Sequence, residues 1–157
     1  MNEMIKINKQ EKLSPHFTLG EMTKTNVKTE RGNLPSNQSI ENLRHVCKWL
    51  ELLRSRYNER YGEGDDPIVI NSGYRSEEVN KAVGGVATSN HLTGCAADIR
   101  VSGMEQALRY AVILLDISDE SREDFDELLI ERNARGAIWL HFAVRESGNR
   151  RKLRFIS

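Results

Sequence analysis

Apolar residues recur at three- and four-residue steps in two long segments of the chain. The first segment runs from residue 39 to about residue 60 and predicts a long amphipathic helix with Ser39 as its N-cap. The second, residues 102–116, predicts another amphipathic helix from four residues at helical spacing: Met104, Leu108, Val112 and Leu115. A shorter helix is predicted where Ser76 caps the segment SEEVNKAV.

Segments rich in β-branched and aromatic residues predict the strands. They are PIVINS from residue 67, AADIRV from residue 96, FDELLIE from residue 125 and AIWLHFAV from residue 137. These strands follow a long helix and are separated by short helices and loops, with no βαβ repeat of even length. The order predicts an α+β fold with a small, largely antiparallel sheet and flanking helices.

The length of the chain favours a single domain. At 157 residues, it can bury about two-thirds of its unfolded surface. The polar residues 1–12 predict a flexible N-terminus. Residues 13–157 are predicted to form one domain, which begins with an extended arm and a short helical turn. Two cysteines are too few for a disulfide framework.

Charge is balanced over the chain as a whole. Lysine plus arginine equals aspartate plus glutamate at 23 each, so no net field attracts nucleic acid or an anionic membrane. The C-terminus is locally basic, and we interpret its cations as the solvated edge of a final hairpin around residues 147–149 in preference to a polyanion site. No segment approaches the ~20 apolar residues of a membrane span, and no signal-peptide core is present. We expect a monomer, synthesised in the cytoplasm, without a nucleic-acid partner.

Strand alternation directs two polar side chains away from the core. In AADIRV, Ala97 and Ile99 face one side and Asp98 faces the other. In AIWLHFAV, the same alternation leaves His141 beside small residues on the face opposite the core. A second histidine, His91, lies in a loop seven residues before Asp98. The three side chains can therefore converge on one site.

The chemistry of this set favours a metal. Two imidazoles and one carboxylate are a normal ligand set for catalytic zinc, whose fourth position stays open for water. Zinc lowers the pKa of that water from ~16 toward ~7 and polarises a carbonyl, which is hydrolase chemistry. Spacing alone leaves an equal alternative, in which His91 caps a loop and His141 is a structural histidine beside Trp139. Cys95 lies in the same segment, but alternation directs it away from Asp98, so a structural thiol is preferred.

Three separated motifs resemble those of a known enzyme family. Residues 89–98 reproduce the pattern SxHxxGxAxD of the zinc D-Ala-D-Ala metallopeptidases, which are related to the lysostaphin-type enzymes and to the hedgehog signalling domain. A GYRS segment at residues 73–76 precedes this motif, and a WxH strand at residues 139–141 follows it, as in the family. The resemblance extends from residue 13 to the C-terminus and is closest to the compact single-domain branch of bacteria and phages. It implies a hedgehog- or D,D-peptidase-like fold.

The resemblance also implies an activity. It indicates a zinc-dependent peptidase that hydrolyses peptidoglycan peptide bonds, as a D-Ala-D-Ala-type carboxypeptidase or endopeptidase, on a stem peptide or cross-link. Its zinc ligands correspond to His91, Asp98 and His141. Its substrate-binding residues correspond to Arg75, Ser89 and Trp139, and the planar guanidinium of Arg75 suits a substrate carboxylate or carbonyl near the metal. A chain without an export signal would reach the wall after phage release or lysis, as an endolysin does.

One position departs from the family pattern. Better-known members carry an acidic general base three residues before the last histidine, and Ile138 stands there. Similar single-domain relatives carry an acidic residue after an FDxLI strand, so Glu131 is our candidate for the catalytic base. Asp126 and Glu127 are its nearby rivals.

Two other functions stay open at this point. Without the usual acid, the chain could be a catalytically inactive, zinc-containing module that binds the cell wall or forms part of a virion. The third and weaker interpretation is a protein without metal, in which the histidines are structural.

Overall fold

The computed structural model describes residues 7–157, and residues 1–6 lie outside the described part. The helices are α1 (Leu19–Thr23), α2 (Asn37–Tyr61), α3 (Glu77–Ala82) and α4 (Met104–Ser121), with a 3₁₀ turn at Asn90–Thr93. The strands are β1 (Lys12–Ser14), β2 (Phe17–Thr18), β3 (Ile70–Ser72), β4 (Ala96–Arg100), β5 (Glu127–Arg132), β6 (Ile138–Ala143) and β7 (Lys152–Ile156). No helix among these described residues is long and apolar enough to span a bilayer.

The main sheet has five strands in the order β3-β4-β6-β5-β7. Its first three pairings are antiparallel, and β7 joins β5 in parallel. β1 and β2 form a separate antiparallel pair that packs against α2. The predicted α+β class is confirmed, and the main sheet is mixed. The predicted C-terminal hairpin is wrong, because the chain after β6 crosses to the far side of β5 instead of pairing with β6.

The core lies between the helices and one face of this sheet. Alternate residues of β4 and β6 point into it, as the sequence predicts: Ala97, Ile99, Leu140 and Phe142. Trp49 of α2 packs against Phe142 with ring centroids 5.2 Å apart, and Tyr57 of α2 meets Tyr110 of α4 edge-on at 4.9 Å. The opposite face of β4 and β6 carries the polar side chains.

The long helix begins earlier than the sequence predicts. Its N-cap is Ser36, whose hydroxyl accepts the backbone N–H of Ser39, so the prediction of Ser39 as the cap is wrong. Ser39 instead lies in the first turn and is buried. The cap of α3 is Ser76, as predicted.

The interior face of α4 also differs from the prediction. Three members of the predicted stripe are exposed: Met104 at 39%, Leu108 at 45% and Val112 at 51%. The buried apolar residues of α4 are Ala107, Tyr110, Ile113, Leu114 and Ile117. Apolar residues cover more than one side of this helix, and packing against α2 selects the side that includes Tyr110.

The N-terminal part of the described chain makes defined contacts from its first residue, since Ile7 packs against the core. The backbone carbonyls of Lys9 and Glu11 accept hydrogen bonds from the N–H groups of Gly20 and Leu19. The predicted boundary between a flexible N-terminus, residues 1–12, and a single domain, residues 13–157, stays a prediction, and residues 1–6 of it lie outside the described part.

Candidate metal centre

Three buried side chains on the polar face of the sheet converge at one point. Asp98 on β4 and His141 on β6 are direct partners in the antiparallel register. His91 lies in the 3₁₀ turn just before β4, which Ser89 caps by accepting the N–H of His91. One possible ligand atom from each of His91, Asp98 and His141 lies within 4.8 Å of the other two. The structure therefore brings together the three predicted ligands.

The spacing of the donor atoms fits a tetrahedral zinc site. The same Asp98 oxygen, Oδ1, lies 3.3 Å from His91 Nε2 and 2.9 Å from His141 Nδ1. Ligand atoms at the ~2.0–2.1 Å distances of zinc are about 3.3 Å from each other in a tetrahedron. The two separations from Asp98 Oδ1 are within about half an ångström of that value.

A backbone contact fixes the orientation of His91. Its Nδ1 atom lies 2.6 Å from the carbonyl oxygen of Gly73, so Nδ1–H donates there and Nε2 is directed at Asp98. Gly73 is required by close packing, because a Cβ atom at this position would lie 2.4 Å from the carbonyl oxygen of Met22. Outer contacts of this kind set the tautomer and direction of metal-binding histidines.

Without a bound ion, the surroundings of the cluster favour an ionised Asp98 and a protonated His141. Burial opposes ionisation of Asp98, but the facing His91 and His141 outweigh it and hold the pKa of this carboxyl well below its usual range. Burial also opposes protonation of His141, but hydrogen bonds to Asp98 and Glu127 raise its pKa to about 9. A metal at this point would replace the proton between His141 Nδ1 and Asp98, and Nε2–H of His141 would still donate to Glu127.

Arg75 lies beside the cluster on the β3 side. Its Nη2 atom donates to Asp98 Oδ2 at 3.1 Å, and its Nε donates to Ser72 Oγ at 3.0 Å. The backbone N–H of Arg75 donates to the carbonyl of His91 at 2.9 Å. These contacts hold a guanidinium next to the predicted ligands, at the edge of the adjoining cavity.

Two acidic residues of β5 face the same cavity. Glu131, the predicted base, accepts the indole N–H of Trp139 at 2.8 Å. Glu127 lies closer to the cluster, with Oε1 3.1 Å from His141 Nε2. This hydrogen bond, together with others that outweigh burial, lowers the pKa of Glu127 to about 2.

Sequence reasoning missed Asn90, a buried residue that holds the carboxylate of Glu127 next to the cluster. Its side-chain amide donates to Asp126 Oδ2 at 2.7 Å and to Glu127 Oε1 at 2.6 Å. Its side-chain oxygen accepts Nε–H of Arg145 at 2.8 Å. The only available signal was a polar residue inside the SxHxxG motif, next to His91.

Asp126 is fully buried and does not line the cavity; its carboxylate holds arginines of the C-terminal segment. Arg150 donates to it through the backbone N–H, Nε and Nη2 at 2.8 to 3.0 Å, and Arg145 lies 3.3 Å away. Arg151 pairs with Asp119 and Asp124. The side chains of these three arginines nevertheless stay 35% to 45% exposed, so they form a solvated edge that is also ion-paired.

The cluster opens into a cavity of about 530 Å³. The predicted site residues all line it: Arg75, Ser89, His91, Asp98, Glu131, Trp139 and His141. The cavity is also lined by residues 83–86 and Thr88, which follow α3, and by Arg150, Lys152 and Ile156 near the C-terminus. Cys95 is buried outside the three-residue cluster, with its thiol facing the carbonyl of Thr93.

Comparisons with known proteins agree with this geometry. A family model described as peptidase M15 matches residues 15–122, which is more than half of the chain. A zinc D-Ala-D-Ala carboxypeptidase from Streptomyces albus G is 31% identical over 84 residues, which cover 54% of this chain and 31% of the relative. The chain thus spans about a third of that curated relative. The family match contains Arg75, His91 and Asp98, and it ends before Glu131 and His141.

Proposed function

The chain belongs to the peptidase M15 family, and on that premise we propose that it is a zinc-dependent peptidase that hydrolyses peptide bonds of peptidoglycan. The observation that carries the proposal is the convergence of His91, Asp98 and His141 beside a cavity that also contains an arginine. The donor set matches catalytic zinc sites with three protein ligands and an open position. Zinc in such a site supplies a Lewis acid for the scissile carbonyl and makes water nucleophilic near neutral pH.

Arg75 is proposed to hold the substrate next to this centre. One of its Nη atoms is committed to Asp98, and the planar fork retains other donors for a carboxylate or carbonyl. Ser89 is proposed to contact substrate and to order the turn that carries His91, whose N–H it accepts. Trp139 provides an aromatic surface in the cavity and holds Glu131 in place.

Glu131 is proposed as the general acid and base. It faces the cavity from β5 and is held through one oxygen by Trp139, so the second oxygen can take a proton from water and pass it to the leaving amine. Glu127 is proposed as a positioning residue, because its Oε1 atom is bound by both His141 and Asn90. A carboxylate behind a metal-binding histidine orients the ring and raises its basicity. Asp126 is buried under Arg150 and has no such role.

The substrate class follows from the relative and is part of the proposal. The Streptomyces enzyme is named for D-Ala-D-Ala, so carboxypeptidase or endopeptidase action on a stem peptide or cross-link is the expected reaction. Four further points stay predictions. They are action at the cell wall after phage release or lysis, a hedgehog-like fold, a monomeric state and the absence of nucleic-acid binding.

The test is digestion of purified peptidoglycan and of short peptides that end in D-Ala-D-Ala. Zinc-loaded wild-type protein should release products that mass spectrometry identifies, and His91→Ala should release none. Zinc content is measured on both proteins by elemental analysis. A full equivalent of zinc in a wild-type protein that cleaves nothing would indicate the inactive wall-binding or virion module instead, and less than about a tenth of an equivalent after repletion would exclude both metal functions.

A further inference from the structure

Two cations of β7 differ from the other basic residues near the C-terminus. Arg145, Arg150 and Arg151 all form ion pairs with aspartates. Within the described part of the chain, no carboxylate lies within 4.0 Å of the ammonium of Lys152 or the guanidinium of Arg154. Internal ion pairing therefore does not explain these two charges.

Both cations lie on the cavity side of the sheet. Lys152 and Ile156 line the cavity, and Arg154 lies between them in the strand, so alternation places it on the same face. In the parallel register, Lys152 is next to Glu127 and Arg154 is next to Leu129. Glu127 is already hydrogen-bonded to His141 and Asn90, and it forms no ion pair with the neighbouring Lys152.

The order of the strands sets the distance between these cations and the candidate metal centre. Across the sheet, β3 is followed by β4 with Asp98, then by β6 with His141, then by β5 and finally by the edge strand β7. Two strand spacings separate His141 from β7, which is about 10 Å. An extended peptide covers that distance in about three residues. Arg75 lies on the other side of the centre, so a peptide that runs from Arg75 across the ligands reaches β7 on its far side.

We infer that Lys152 and Arg154 form a carboxylate subsite that selects an acidic peptide, with the acidic side chain about three residues from the scissile bond on the side away from Arg75. This inference rests on the proposed peptidase function. Strand β7 lies outside the residues matched by the family model, so the subsite is a specificity element contributed by the C-terminal part of this chain. Exposed charge pairs are weak, so we expect about tenfold selectivity from the two together, which corresponds to about 1.4 kcal/mol.

The experiment uses a panel of neutral peptides that end in D-Ala-D-Ala. A single glutamate is moved from one to five residues upstream of the cleaved bond, and each peptide has a glutamine counterpart. For the zinc-loaded wild type, we expect kcat/KM for glutamate over glutamine to peak near the third residue at about tenfold and to fall as salt is raised. The double variant Lys152→Gln/Arg154→Gln should bring this ratio to about one. The double variant Lys152→Glu/Arg154→Glu should instead cleave a peptide with lysine at the matched position faster than its glutamine counterpart.

Controls distinguish charge selection by Lys152 and Arg154 from a general loss of activity. Lys48→Gln removes an exposed lysine of α2 outside the cavity and should leave the ratio unchanged. If the β7 variants lower cleavage of acidic and neutral peptides equally, Lys152 acts on Glu127 and the subsite is overturned. A wild-type ratio near one at every position also overturns it while the peptidase function stands.

Binding measurements keep the test independent of turnover. Calorimetric titration of the same peptides into zinc-loaded Glu131→Gln protein should give about tenfold tighter binding of the matched glutamate peptide, lost in the β7 variants. If the wild type cleaves no peptide but this binding difference is present, the proposed peptidase function fails and the carboxylate subsite stands. Equal binding of the paired peptides overturns the subsite.

Discussion

Trp139 donates its indole N–H to Glu131 across the β5–β6 pair, with Nε1 and Oε2 2.8 Å apart. The two residues are direct partners in the strand register, so their side chains stand next to each other on the cavity face. Among the described residues, the second oxygen of Glu131 has no hydrogen-bond partner. The indole thus orients the carboxylate and leaves its second oxygen available for the proposed proton transfer.

Glu131→Gln should abolish most turnover without loss of the metal. Glutamine can still accept the indole N–H through its amide oxygen, but it cannot take a proton, so kcat should fall by about 10²–10⁴-fold. Kinetics on a cleavable peptide and elemental analysis of zinc measure the two effects. The matched control is Glu59→Gln, an exposed position of α2 outside the cavity. Turnover close to wild type in Glu131→Gln would exclude this residue as the base.

Glu127→Gln should lower the affinity for zinc and leave the proposed proton transfer intact. The substitution weakens the partner of His141 Nε2, and loss of such an outer contact lowers metal affinity by about 10–100-fold. Competition with a zinc chelator measures the affinity. Added zinc should restore most activity in this variant and none in Glu131→Gln. If zinc restores nothing, Glu127 takes part in the chemistry directly.

The sequence predicted the face on which two of the three proposed ligands lie, because a strand has a period of two. Asp98 and His141 alternate with core residues, and the structure places both on the opposite face, as partners in the register. The family resemblance is also confirmed by the match to peptidase M15. Ile138, which stands where related enzymes have an acid, packs against the core as alternation predicts.

Contacts that depend on strand order could not be read from the sequence. Glu127 meets His141 only because β5 pairs with β6 in one register, and a shift by one residue would turn its side chain to the core. β7 pairs in parallel with β5, whereas a turn at Gly148 is equally compatible with a hairpin. On α4, the apolar residues offered two faces, and packing against α2 and β6 distinguishes them.

Gly73→Ala should disturb both the fold and the metal centre. A Cβ atom would lie 2.4 Å from the carbonyl oxygen of Met22, so the backbone must shift, at a cost of about 1–3 kcal/mol. The same residue accepts Nδ1–H of His91, so zinc affinity should also fall. Urea unfolding and chelator competition measure the two effects. Gly64→Ala is the matched control, because a Cβ atom at that position would have no neighbour within 4 Å and stability should not fall.

Asp126→Asn should remove a part of the stability that depends on pH. Burial opposes ionisation of Asp126, but hydrogen bonds from Arg150 and Asn90 outweigh it and lower the pKa from 3.8 to about 2. A lowered folded-state pKa stabilises the protein above the unfolded-state value, and this contribution is lost as the pH falls from about 4 to about 2. The shift corresponds to about 2 kcal/mol in the free energy of unfolding at neutral pH.

The measurement is urea unfolding of both proteins between pH 2 and pH 7, without added zinc. The wild type should exceed Asp126→Asn by about 2 kcal/mol above pH 5, and this difference should shrink as the pH approaches 2. Other carboxylates titrate in both proteins, so their contributions cancel in the difference. Asp65→Asn removes a carboxylate that is 81% exposed and paired with Arg54, and it should change stability by less than about 1 kcal/mol. A wild-type advantage that stays constant down to pH 2 would show that the Asp126 charge does not stabilise the fold.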